Sequence, residues 1–109
     1  LNNWSAGKNL SASPHREKSI STLAARATRA FLEYSPMRYS AQEKERVYRL
    51  IPYGPLLDVF AIDMRSYRGP NTHNTQPTQS GETAFLGRPQ IDWLKKALAA
   101  SKALWKVIA

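Results

Sequence analysis

The chain has 109 residues, the size of one small domain, and its 42% hydrophobic content can build a core that is small for its surface. Sixteen Lys and Arg against eight Asp and Glu give a formal charge of +8, a balance that suits polyanionic or phosphorylated partners and says nothing about fold. There is no cysteine, which excludes disulfides and thiolate metal sites, and no stretch approaches the ~20 apolar residues of a membrane span.

Residues 1–12 read as irregular, with Asn, Ser, Gly and Lys around one Trp. They lack the basic start and apolar centre of a signal peptide. The chain begins without Met and stops in "KALWKVIA", where a strand pattern is still running. An internal segment of a longer protein is the expectation. Ser13-Pro14 offers a helix start, with Ser as cap and Pro at the first helical position. Ile20, Leu23, Ala24, Ala27, Phe31 and Tyr34 then recur at helical spacing. The spacing predicts a helix over 13–35, ended by Pro36, because a residue before proline is pushed out of the helical region.

The period then changes. Val47 to Tyr53 alternates, "YGP" supplies a turn, and Leu56 to Met64 is a second strand, so residues 47–64 read as a β-hairpin. Val59-Phe60-Ala61-Ile62 is apolar on both faces, as in a strand buried inside a layered sheet. Residues 65–88 form a long loop whose centre, "GPNTHNTQPTQSGET", is almost wholly polar. Loops of this length within a compact domain are usually functional or disordered. A second helix comes next over 89–100, with Pro89 in its first turn, and then a strand over 103–109. Strand, loop, helix and strand make a β-α-β crossover with its two strands parallel, so the fold class is α/β.

In such sheets ligands bind beyond the carboxyl ends of the strands. Asp63, Arg65 and Arg68 lie at that end of the apolar run. Two readings stand. In one, Asp63 accepts backbone N–H groups in the turn or pairs with Arg65, two residues along the same strand face. In the other, Arg65 and Arg68 belong to a site that takes anions, since guanidinium groups suit phosphate oxygens. Asn2 and Asn3 carry hard oxygen ligands, although adjacent asparagines are more often turn formers. His15 and His73 have no ligand-spaced partner; His15 reads as a first-turn helix residue and His73 as a loop-tip residue. There is no G-x-S-x-G and no glycine-rich phosphate loop. Trp93 and Trp105 read as packing residues. The basic residues are dispersed over both helices and the hairpin, which argues against a specific nucleic-acid site.

Several stretches resemble the alkaline phosphatase D (PhoD-like) metallophosphoesterases. "VFAIDMRSYRGPN" is similar to that family's strand ending in Asp, a residue, Arg and then Tyr-Arg. "FLGRPQIDWLKKALAASKALWKVIA" resembles its Leu-Gly, Gln, Trp-Leu helix and Trp-Lys-Val-Ile strand, and "AFLEYSPMR" its Ala-Phe-x-Glu-Tyr-x-Pro stretch. The opening "NNW" resembles the residues just after the family's Asp-Asp-His-Glu metal motif.

The resemblance implies a metallophosphatase sandwich, two mixed sheets between helices, of which this chain is a partial slice. It places the Asp-Asp-His-Glu motif just before Leu1, other Asp motifs further upstream and the final histidine motifs beyond Ala109. Only one of Asn2 and Asn3 then maps onto the metal site, and no complete catalytic set lies in the chain. The implied activity is hydrolysis of phosphate esters at a di-metal centre, with calcium and iron as the suggested pair. The parent protein would be exported, often by an upstream twin-arginine signal, and the segment would be inactive alone. The rival reading is a free-standing basic α/β module that binds nucleic acid or another polyanion.

Overall fold

The structure is a computed structural model that describes residues 1–38, 46–73 and 75–109. Its first helix, α1, spans Ile20–Tyr34 and so begins later than the Ser13-Pro14 pair predicts. Ser13 is a turn residue instead: its N–H and its Oγ donate to the Leu10 carbonyl at 3.0 and 2.8 Å. The cap is Ser19, whose hydroxyl accepts from the Thr22 N–H at 3.2 Å, while Glu17 Oε1 accepts the Ser19 N–H at 2.8 Å. Both serines offer the same capping chemistry. Residues 15–19 are all polar, however, and a turn built from them would bury nothing, so the helix starts where the apolar period starts. His15 therefore lies outside the helix. At the other end Ser35 is extended, at φ −88° and ψ 140°, as a residue before proline should be. Ile20, Leu23 and Ala24 are half-buried, no residue of α1 is fully buried, and Tyr34 on its apolar face is 89% exposed.

Three strands form one sheet in the order β1-β2-β3. They are β1 (Arg49–Tyr53), β2 (Leu57–Ala61) and β3 (Trp105–Ile108). β1 and β2 make the expected antiparallel hairpin, with Ile51 opposite Val59. Gly54 turns it at φ 70°, in the left-handed region that favours glycine. β2 and β3 run parallel, with Val59 opposite Val107, the pairing a β-α-β unit requires. The chain is thus mixed α/β, with two helices and a three-stranded sheet among the described residues. Between β2 and the second helix the polar loop contains one short 3-10 turn, Gly81–Thr83.

β2 alternates in burial, with Asp58 and Phe60 turned inward. The second helix, α2 (Arg88–Ala100), reaches the hairpin and the end of β2 at three points. Gln90 bonds to Asp63, Trp93 stacks against Tyr48 with ring centroids 4.9 Å apart, and the C-capping Ser101 donates to Asp58 Oδ2 at 2.5 Å. The buried apolar set is small: Leu10, Tyr48, Phe60 and Ala103 among the described residues. Trp93 packs as its position predicts. Trp105 does not: it is 66% exposed, because both faces of β3 are open along its length. No helix is long and apolar enough to cross a membrane among the described residues.

Candidate functional site

The candidate site opens where β2 stops. The Ile62 N–H still donates to the Ala109 carbonyl at 2.8 Å, and one residue further on, at Asp63, a side chain takes over the bonding. Gln90 is fully buried. Its Oε1 accepts the Asp63 N–H at 2.7 Å, and its Nε2 donates to the carbonyls of Asp63 and Leu86, both at 2.8 Å. A carboxamide carries both donor and acceptor, so it can pair with the N–H and the carbonyl of one residue as a neighbouring strand would. Buried backbone groups must find partners, and Gln90 is how this strand end finds them.

Asp63, itself buried, then turns the chain. Its Oδ1 accepts the backbone N–H of Arg65 and that of Ser66, both at 2.9 Å, the Asx turn that aspartate favours. The expected side-chain pairing of Asp63 with Arg65 is not made. The two backbone donors lie within the reach of a short carboxylate, and the turn sends the longer Arg65 side chain outward. Arg65 Nη1 donates instead to Oδ1 of Asn3 at 3.1 Å. No carboxylate pairs with Arg65 or Arg68 among the described residues. The guanidinium of Arg68 lies over the Phe85 ring, 5.5 Å from its centroid, a cation–π contact that leaves its charge uncompensated.

Two segments far apart in sequence thus meet here. Asn71, at the start of the polar loop, donates its side-chain amide to the Asn3 carbonyl, and Lys8 Nζ donates to the Asn2 carbonyl at 2.7 Å. Asn3 has φ 52°, left-handed backbone that among non-glycine residues asparagine tolerates well. The loop's neck is also fixed. The Gly69 N–H donates to the Ala84 carbonyl at 2.8 Å, and a Cβ at Gly69 would come within 2.5 Å of the Gly81 oxygen.

Behind the turn, Tyr67 meets Tyr48 edge-on at 5.4 Å. Burial pushes its phenol above the usual tyrosine value, helped by the nearby Tyr48 and Asp63 and opposed by Arg46. A cavity of about 420 Å³ between α1 and this turn is lined by Trp4, Ile20, Ala24, Arg46, Ser66 and Tyr67.

The sequence-derived candidates therefore separate into those that meet and those that do not. Asn3, Asp63 and Arg65 form one connected set, with Arg68 on the same loop. Asn2 adjoins it through its backbone. His15 lines a different cavity, with Leu1, Trp4 and Leu23, and His73 is exposed. Gln90 and Asn71 are not singled out by the sequence, and both belong to the set. As a test of fit to a metal, no three His, Cys, Asp or Glu side chains converge among the described residues. Asn3 Oδ1 already accepts from a cation. The donors present do not by themselves make a di-metal centre.

A family profile described as PhoD-like phosphatase matches residues 1–109. Alkaline phosphatase D of Bacillus subtilis (strain 168) is 28% identical over 108 residues, an alignment covering 88% of this chain and 18% of that protein. A solved structure titled "Structure of PhoD" superposes with a TM-score of 0.65 at 28% identity, covering 98% of this chain and 22% of the other. The chain spans less than a quarter of the length of either relative. Its whole length, from the asparagine pair to β3, belongs to the PhoD-like phosphatase family.

Proposed function

We propose that the chain is a segment of an exported, metal-dependent phosphate-ester hydrolase and that it supplies one rim of the active site. The observation that carries this reading is the split between Asp63 and Arg65. Asp63 gives its carboxylate to backbone N–H groups, so Arg65 stands without a counter-ion beside Asn3, at the carboxyl end of β2. An uncompensated guanidinium at that end of a strand raises the positive field where a phosphate ester would sit, without itself having to touch it. Arg68 adds a second positive charge on the adjoining loop.

The metals, a calcium and iron pair by family, would activate water and polarise the phosphoryl oxygens. The chain's contribution to that centre is one of Asn2 and Asn3, and its other ligands come from outside these residues. What this chain does itself is bind and orient. Arg65 and Arg68 set a positive field for the dianionic ester, and Gln90 and Asp63 hold the strand end from which both project. The polyanion-module reading is not favoured, because the family match takes in every residue.

The test is hydrolysis of an aryl phosphate by the full-length protein and by the 109-residue chain alone, each with calcium and iron. The full-length protein should turn over and lose activity to a chelator, and the chain alone should be inert. A full-length protein with no chelator-sensitive turnover overturns the hydrolase reading. Chelator-sensitive turnover by the chain alone overturns the segment reading.

A further inference from the structure

We infer that Arg65 and Asn71 form a two-point latch on Asn3 and act as positioning residues for it, rather than as groups that contact phosphate themselves. The inference rests on the reading of this rim as part of a phosphate-ester site. Arg65 takes the side-chain oxygen of Asn3 at 3.1 Å, and Asn71 takes its backbone carbonyl. The two grips fix different parts of one residue, its carboxamide and its peptide plane, and Asn3 has left-handed backbone at φ 52°. Neither grip is local: Arg65 and Asn71 both lie on the loop that leaves β2, whereas Asn3 lies in the N-terminal segment. The latch is therefore a polar connection that, beside the packing of the buried Ser5 and Leu10, places the N-terminal segment relative to the strand end. A third bond, Lys8 Nζ to the Asn2 carbonyl, closes the N-terminal segment on itself.

All three partners, Asn3, Arg65 and Asn71, are exposed. Their substitution removes polar bonds without opening a core, so the variants remain folded and readable. A guanidinium already holding Asn3 has its fork partly committed. A phosphate contact by Arg65 and a latch by Arg65 therefore predict different kinetics.

The experiment uses the full-length protein with Arg65→Met, Arg65→Lys, Asn71→Ala, Asn3→Ala and the Arg65→Met/Asn3→Ala double variant. Hydrolysis of an aryl phosphate is measured alongside hydrogen exchange of the peptide covering residues 1–8. Arg65→Met should lower kcat about 10-fold with KM changed less than about twofold, the low end of what losing a supporting hydrogen bond behind a site residue costs. Asn71→Ala should move kcat the same way. Arg65→Lys, which keeps a donor and the charge, should recover most of the loss. In the Asn3→Ala background Arg65→Met should add less than about twofold, because the pair acts as a unit. A rise in KM with kcat retained, or fully additive losses, would overturn the latch by showing that Arg65 meets substrate directly. Exchange separates this from the broader reading. If the parent hydrolyses nothing, the functional proposal fails, yet faster exchange at residues 1–8 in Arg65→Met still supports the latch, and unchanged exchange overturns it.

Discussion

Replacing Gln90 with Glu tests the side chain that substitutes for a strand. The two side chains have nearly the same shape, so the change opens no cavity, but the carboxylate has no N–H to give. In the parent, Nε2 donates to the carbonyls of Asp63 and Leu86, both at 2.8 Å. The substitution removes both bonds and leaves two carbonyls facing a negative charge in a place with no exposure. Each lost bond with a stranded partner costs about 1–3 kcal/mol. The two together, relieved by some local movement, give about 3 kcal/mol at neutral pH. With a urea slope of about 2 kcal/mol per M, the midpoint should fall about 1.5 M at unchanged slope. The pH dependence has a definite sign. Burial and the facing carbonyls raise the introduced carboxyl above its unfolded value of about 4.3. A group raised on folding adds stability that is complete below its unfolded pKa and is lost as pH rises through the folded one. The protonated acid can also donate one bond again. The gap between variant and parent, each measured at the same pH, should therefore shrink on going from about pH 7 to about pH 4. Urea titrations followed by tryptophan fluorescence measure it. A variant as stable as the parent at neutral pH, or a gap that does not narrow in acid, would refute the account of Gln90 as a stand-in strand.

The same geometry sets other outcomes. Asp63→Ala in the full-length protein should lower stability by about 2 kcal/mol, since the Arg65 and Ser66 N–H groups each lose an acceptor. Turnover per folded molecule should fall less; a variant that melts like the parent but has lost turnover would show that Asp63 acts in the chemistry. Arg68→Ala should mainly raise KM for a phosphate ester, and an unchanged KM would place Arg68 outside the substrate's reach. Tyr67 binds its proton more tightly when folded, so stability should be full below about pH 10 and decline above it. Tyr67→Phe should flatten that decline in an alkaline melting series. Ser19→Ala should destabilise α1 by about 1 kcal/mol, whereas Ser13→Ala should leave its helicity unchanged by circular dichroism.

The parts of the fold legible in the sequence are those that local chemistry decides. The hairpin turn needs a glycine and has Gly54; α2 has Pro89 in its first turn; β2 is apolar on both faces. The start of α1 is ambiguous because Ser13 and Ser19 are equivalent as caps, and only burial, which the sequence period does carry, separates them. The expected aspartate-arginine pairing fails for a reason of reach. Spacing along a strand says which side chains share a face, but it does not say that a backbone N–H lies closer than a guanidinium. Gln90 is the least legible. A glutamine in a first helical turn looks solvated, and its signals are its place one helical turn before Leu94, on a face that packs, and its match to the Gln of the family-like helix segment. The meeting of Asn3 with Arg65 and Asn71 is purely tertiary and no local rule announces it.

The neck at Gly69 has a consequence for how this segment can change over evolutionary time. The loop's two ends are clasped backbone to backbone, Gly69 to Ala84, so closely that a methyl group there would collide with the Gly81 oxygen. Once its ends are held, lengthening such a loop adds little further entropic cost, about 0.6 kcal/mol for each doubling. Apart from the Asn71 bond to Asn3, the strand end and its arginines are thereby mechanically isolated from whatever the loop does beyond the clasp. Insertions and deletions between residues 72 and 83 can reshape the outer wall of the site while its charged floor stays in register. The same insertion placed before Gly69 would displace both arginines' loop from Asn3. Variation in length is thus expected beyond Asn71 and not before it.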